Sequence, residues 1–277
     1  MNRADDILDT IASRKTSGES FVLATVVRTV AATAAKAGAK AVILPDGTTQ
    51  GWIGGGCARA AVLKAAKDAL ADGKSRLVSV APEDVLDGRG HKAGEEQGGV
   101  RFAKNMCPSQ GTMDIFVEPV LPRPQVVICG SSPVAVAVAD LAKRSGFAVT
   151  VCAPAAEQGT FGDADRRIEG YALPVDDPGA RYVVVSTQGR GDEAALLAAL
   201  AIDADYVAFV GSRKKAEALK ATLAKRGVTA EQLAKLKAPA GLDLGAITPD
   251  EIAISILAEI VAVRRSKHSR SGASVLE

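Results

Sequence analysis

Histidine is nearly missing from this chain, with only His91 and His268 among 277 residues. Both lie in polar segments, which argues against a histidine-based catalytic triad though not against catalysis by other groups, and surface positions are the expectation for both rings. Aromatic residues make up 4% of the chain, too few for the stacking platforms of single-stranded nucleic-acid binding. With a net charge of only +2, nucleic acid is not an expected partner. The four cysteines, at 57, 107, 129 and 152, show no CxxC or Cys/His spacing, which argues against a zinc site or a disulfide framework. No apolar run reaches the length of a membrane span, and the start MNRADDILDTIASRK lacks the apolar core of a secretory signal. A cytoplasmic protein without stable membrane insertion is expected.

What is present is enough apolar sequence, 47% hydrophobic against 24% charged, for two α/β domains with separate cores. The segment VEPVLPRPQ, Val117–Gln125, packs three prolines between apolar runs and reads as the linker. Before it, residues 1–120 form a small α/β domain. A helix is expected over Ala4–Ser13, with strands over Phe21–Val30, Lys40–Leu44, Arg76–Val80 and Thr112–Val117. The glycine- and charge-rich stretch GRGHKAGEEQGGVRFAKNMCPSQG is expected as one long loop. After the linker, residues 125–265 alternate continuous apolar strands with helices, the pattern of a Rossmann-like parallel sheet with helices on both faces. The strands are Gln125–Cys129, Ala148–Cys152, Tyr182–Ser186 and Tyr206–Val210, with a weaker one near Tyr171. A helix over Pro249–Arg265 is specified by Thr248 as cap, Pro249 at its first position, and an apolar stripe of Ile252, Ile256, Ile260 and Val263. Residues 266–277 are expected as a disordered tail.

Three segments carry chemistry. In GWIGGGCARAAVLKAAKDAL, three glycines deliver Cys57 to the first turn of a helix, a position that favours negative charge and lets backbone approach a ligand closely. The plainer reading is a strand-to-helix turn with a small buried cysteine. VVICGSSPVAVAVADLAKRSGFAVTVCAP is a strand, turn, helix and strand that would place a pyrophosphate on a helix start. Its glycine fingerprint is altered: Gly130 supplies the turn, Ser132 stands in the second glycine position and narrows the approach, and Ala135 takes the third. At the second strand end, where a carboxylate usually grips a ribose, stand Cys152 and Ala153. Asp163 and Asp165 follow that strand, as crevice residues or as ordinary capping charge. Cys129 and Cys152 read as buried and inert. In VAFVGSRKKAEAL, Arg213, Lys214 and Lys215 crowd a helix start after Gly211 and Ser212, which is easier to understand if an anion sits there.

The residues GAK at Gly38–Lys40, GGGC at Gly54–Cys57, the cysteine-containing segment before DIFVEP, GSRKK, and APAGLDLGAITPDEIAISILAEIVAVRR give the chain its resemblance. It resembles the XdhC/CoxI family of accessory proteins for molybdenum hydroxylases such as xanthine dehydrogenase and carbon monoxide dehydrogenase. The resemblance implies an amino-terminal domain that handles the molybdenum cofactor, as molybdopterin or its cytosine dinucleotide, and a Rossmann domain after it. It also implies partners: the target molybdenum hydroxylase and other maturation factors. Cys57 and Cys107 match the family's two cysteines and are the expected reactive residues and metal ligands. Gly54, Gly55 and Gly56, the turn Gly130, Ser131, Ser132, Pro133, Val134 and Ala135, and Gly211, Ser212, Arg213 and Lys214 are expected to hold cofactor. Where the family commonly has a cysteine followed by two glycines, this chain runs Cys107, Pro108, Ser109, Gln110, Gly111. That departure, with the altered fingerprint, resembles the CoxF-type branch linked to a molybdenum and copper site, which adds copper to the expected ligands. Two other readings stand beside the maturation factor: an oxidoreductase using FAD or NAD(P), and a nucleotide-sensing adaptor. A homodimer is expected.

Overall fold

The computed structural model describes residues 4–108, 110–173 and 179–270, and the chain divides into two compact units between Pro122 and Arg123. The first unit is built on a seven-stranded mixed sheet. Its strands are β1 (Phe21–Val30), β2 (Lys40–Ile43), β3 (Thr49–Gly51), β4 (Arg76–Ala81), β5 (Glu96–Gln97), β6 (Val100–Lys104) and β7 (Thr112–Val120), in the order β3-β2-β1-β7-β4-β6-β5. Helix α1 covers Ala4–Ser17, four residues beyond its expected end, and seats Ile7 against Phe21 and Val42 on one face of the sheet. Helix α2 (Gly56–Asp72) covers the other face. Its inward stripe, Ala58, Val62, Ala65, Ala66 and Ala69, recurs at helical spacing and is made mostly of alanine, so the helix axis lies close to the strands. Gly73 at φ 72° ends it in the left-handed conformation and donates to the Ala69 carbonyl.

The stretch between β4 and β7, expected as one long loop, contains regular elements. Helix α3 (Glu83–Gly88) buries Leu86 against Phe102, and β5 and β6 form a hairpin whose second strand runs parallel to β4. The turn is Gly98–Gly99, both at positive φ, the glycine pair that a tight hairpin favours. His91 stacks on Phe102 with ring centroids 3.8 Å apart, so it is a half-buried packing residue rather than a solvated one.

The second unit is a six-stranded, all-parallel sheet: β8 (Gln125–Cys129), β9 (Ala148–Ala153), β10 (Arg166–Glu169), β11 (Arg181–Val185), β12 (Tyr206–Phe209) and β13 (Leu236–Lys237), in the order β10-β9-β8-β11-β12-β13. The strand expected near Tyr171 is β10, which ends two residues before it. Helices lie on both faces, and alternate residues of each strand serve them. Val126, Ile128, Val149, Val151 and Val184 pack with α4 (Pro133–Arg144) and α8 (Pro249–Arg270). Val127, Cys129, Val183, Val185 and Phe209 pack with α5 (Asp192–Ala201) and α6 (Arg213–Lys225). A short α7 spans Ala230–Ala234. This two-sided burial is why the strands read as continuous apolar runs. In α8 the side chain of Thr248 accepts from the Glu251 N–H while the Glu251 carboxylate accepts from Ile247 and Thr248, a reciprocal cap. Ile256 and Ile260 are fully buried, with Ile252 and Val263 beside them. The helix runs on to Arg270, so residues 266–270 of the expected tail are helical; residues 271–277 and the side chain of His268 lie outside the described residues. No described helix is long and apolar enough to cross a membrane.

Asp165 is not a crevice residue. Its carboxylate accepts from Val149 N–H at 2.8 Å, at the start of β9, and pairs with Arg123 at 2.8 Å and Lys143 at 2.9 Å. That is the opposite end of the sheet from Gly130, and Asp163 sits there too, 3.6 Å from Lys143. Burial pushes the Asp165 carboxyl up, but the Val149 N–H, Arg123 and Lys143 outweigh it and bring it down to about 2 from 3.8. A carboxyl lowered on folding contributes stability above its unfolded value and loses it as pH falls through the folded one. Asp165→Asn is therefore expected to lower the thermal midpoint of the protein at pH 7 by an amount equivalent to about 1–2 kcal/mol. The gap to wild type should close between about pH 4 and pH 2 in a series of melting curves.

Candidate functional site

In the first unit the glycine run and the segment after β6 build a cleft of about 290 Å3 lined by Cys57, Asn105, Met106, Cys107 and Met113, among others. Gly54 has φ +117°, and a Cβ there would lie 2.9 Å from the Met113 Cε. Only glycine fits both the backbone conformation and the thioether packed against it. Gly55 is the N-cap of α2 and offers no side chain, and no acidic residue occupies the first turn. The first N–H groups of the helix, including that of Cys57, thus meet no capping side chain, and the positive end of the dipole opens beside the thiol. Cys57 is half-buried, Cys107 is exposed, and neither is in a disulfide.

Asn105, which has no distinguishing pattern in the sequence, fixes the segment that carries Cys107. Its side-chain N–H donates to the Gly111 carbonyl at 2.6 Å, its oxygen accepts from Cys107 N–H at 2.9 Å, and its own N–H donates to Ala81 O at 2.7 Å. Gly111 closes the segment where a side chain would collide with the Ala32 carbonyl. Cys107 therefore stands on a pinned turn, not on a free glycine-rich loop. Across the described residues no three His, Cys, Asp or Glu side chains gather as a metal cluster, so the cleft offers two thiols and two thioethers, a soft donor set.

In the second unit the turn after β8 is tightly built. Gly130 has φ +109°, and any Cβ would strike the Ser186 carbonyl. Ser132 does not narrow an approach path as its position in the fingerprint suggests: it is 5% exposed and faces inward, its hydroxyl accepting from Ala135 N–H at 3.0 Å and lying 2.6 Å from the Ser186 hydroxyl. Pro133 occupies the first turn of α4, Ala135 is in the core, and Val134 packs against it. No acid stands at positions 152 and 153, but one lies a few residues on. Glu157, in the 3-10 turn Ala155–Thr160, hydrogen-bonds the Ser131 hydroxyl and pairs with Arg190 at 3.3 Å. Cys129 and Cys152 are fully buried, and the Cys129 thiol is pushed well above its ordinary range by the Cys152 sulfur beside it and by burial.

The three cations of GSRKK have separate fates. Lys215 pairs with Asp192 at 2.5 Å and sits over the Phe209 ring. Burial pushes the Asp192 carboxyl up, but Lys215, Thr187 and the Gly189 N–H outweigh it and hold it below its usual range. Ser212 caps α6 by accepting from Lys215 N–H at 3.3 Å, and Lys214 is exposed. Arg213, with Gly211, lines a cavity of about 700 Å3 whose opposite wall is the chain from Ala238 to Ala246. That wall is held by Glu259 on α8, a buried carboxylate that accepts from the Tyr206 hydroxyl at 2.6 Å and Gly241 N–H at 3.0 Å and pairs with Lys237 at 2.9 Å. Burial and then the Glu259 charge push the Tyr206 phenol far upward, so it remains a donor.

Residues 15–81 match the XdhC and CoxI family, and residues 126–260 match the XdhC Rossmann domain. The chain belongs to the XdhC and CoxI family. It is 28% identical over 243 residues to the uncharacterized protein YqeB of Escherichia coli K12, covering 82% of this chain and 41% of that protein. It is also 26% identical over 162 residues to a Bacillus subtilis 168 protein named as a probable xanthine dehydrogenase component, covering 56% and 47%. The chain thus spans less than half the length of either relative. A crystal structure described as a xanthine dehydrogenase from Bacillus halodurans is similar over 98% of this chain and 97% of that one, at 20% identity and a TM-score of 0.45. Within the family, Gly54–Cys57 lie inside the first matched stretch, whereas Cys107 lies between the two.

The Gly130 turn makes a direct test of how the XdhC Rossmann domain is held. Gly130→Ala adds a side chain at a positive φ and against backbone, and is expected to cost about 3 kcal/mol or more. Urea denaturation of the full-length protein, followed by circular dichroism, measures it.

Proposed function

We propose that this protein is an accessory factor that binds the molybdenum cofactor, as molybdopterin or its cytosine dinucleotide, and helps assemble it into a cytoplasmic molybdenum hydroxylase such as xanthine dehydrogenase. The single observation that carries the reading is the convergence of Cys57 and Cys107, fifty residues apart in sequence, on one cleft beside an uncapped helix start. Family membership supports it, as does the relative named as a probable xanthine dehydrogenase component. The residues suit the group. Thiolates are the protein ligands that match a soft molybdenum dithiolene centre, and the open N–H groups of Gly56 and Cys57 suit its phosphate. When bound, the cofactor supplies the oxygen-transfer and electron-transfer chemistry of the target enzyme. This chain supplies two sulfur ligands, a phosphate seat and, through Asn105, a fixed position for one of the sulfurs. The run Cys107–Gly111 and the altered fingerprint from Gly130 to Ala135 support the CoxF-type branch, whose target would be a carbon monoxide dehydrogenase.

Purified full-length protein incubated with molybdopterin and passed through gel filtration should carry pterin, read by fluorescence after oxidation. Cys57→Ser and Cys107→Ser should each lower the retained pterin about tenfold and lower activation of the target hydroxylase in parallel, the loss of one strong metal–ligand contact corresponding to about 1.4 kcal/mol. Retention and activation equal to wild type in both variants would defeat the reading.

A further inference from the structure

The motif GLDLGA and the cavity it walls have no part in the sulfur cleft, which belongs to the other unit. We propose that this cavity is a site for a guanine nucleotide, its phosphate meeting a guanidinium and its amino–imino edge a carboxylate. Its volume of about 700 Å3 lies within the range of small-molecule sites. It opens at the carboxyl ends of β12 and β13, the end of a parallel sheet where ligands bind.

The walls are chemically sorted. Arg213 brings a guanidinium that makes no hydrogen bond or ion pair with any described residue. Of the other cations nearby, Lys215 is committed to Asp192 and Lys237 to Glu259, and Lys214 does not line the cavity. Arg213 is thus the cation left to meet a phosphate, which it can grip with two parallel N–H donors. Asp243 supplies a carboxylate to the same cavity, likewise with no described partner. A carboxylate accepts two parallel N–H bonds from an amino–imino edge, and adenine, lacking that edge, cannot satisfy it. Leu242, Leu244 and Ile252 line the same cavity and offer apolar surface for a ring.

The wall is preformed rather than loose. Gly241 has φ +91° and lies so close to Ser255 that a side chain would collide, and its N–H is bound by the buried Glu259. Leu242 N–H donates to the Ser255 carbonyl at 3.2 Å and Ala240 N–H to Phe209 O at 3.0 Å. On the facing wall, Gly211 touches the Phe209 ring where a Cβ has no room. The backbone of both walls therefore hangs on α8 and β12, which lowers the ordering that binding must impose.

Calorimetric titration of the full-length protein with GMP, AMP, guanosine and inorganic phosphate tests the assignment. One GMP should bind per chain, at least tenfold tighter than AMP. Arg213→Ala should weaken GMP about tenfold and leave guanosine unchanged, and Asp243→Asn should erase the preference for GMP over AMP. Both side chains are exposed, so unchanged melting curves should accompany these losses. No GMP binding at millimolar concentration, equal affinity for AMP and GMP in the wild type, or GMP binding untouched by Arg213→Ala would overturn the proposal. So would binding lost in Glu157→Gln but kept in Arg213→Ala, which would move the nucleotide to the Gly130 turn.

Discussion

One buried carboxylate organises the far edge of the parallel sheet. Glu259 sits on α8, yet its two oxygens reach the hydroxyl of Tyr206 on β12, the ammonium of Lys237 on β13 and the N–H of Gly241 beyond it. A carboxylate withdrawn from water costs several kcal/mol unless its lone pairs are filled, and here three donors from three segments fill them. β13 is only two residues long, and this anchor adds to its pairing with β12 and to the Leu242–Ser255 bond in fastening the chain that follows to the helix. The GLDLGA wall and the closing helix of the domain are in this sense one device.

The amino-terminal unit solves a related problem with neutral groups. Cys57 arrives from β3 through glycines, and Cys107 arrives from β6 through a turn that Asn105 staples at both ends. Because β6 lies parallel to β4 and β4 lies beside β7, the segment after β6 is returned to the edge of the helix that starts at Gly56. Met113, on β7, fills the space that Gly54 leaves and so ties the two approaches together. The sulfur cleft is a product of sheet order and of glycine in the few places where no other residue fits.

Much of this is legible in the sequence, and the reasons differ by element. The strands of the second unit and the cap and stripe of α8 show plainly because burial on two faces and local capping both leave short-range patterns. The glycine run before Cys57 shows because a strand-to-helix turn concentrates glycine. The hairpin of β5 and β6 is readable only at its Gly98–Gly99 turn, since its strands are short and half polar and so lack the alternation that marks a buried strand. Asn105, Glu157 and the pairing of Asp192 with Lys215 leave no local signature: each acts through a partner that only the folded chain brings near. Ser132 misleads for the same reason. Its position in the fingerprint suggests an obstacle, but its hydroxyl turns inward to Ser186 and to its own helix.

The unequal placement of the four thiols has a practical side. Cys129 and Cys152 are sealed between strands, while Cys57 and Cys107 border solvent. A maleimide dye added to native protein reports on one domain, and the same dye added during unfolding reports on the other. The molecule thus carries two built-in probes, one for occupancy of the cleft and one for opening of the parallel sheet, without any engineered label.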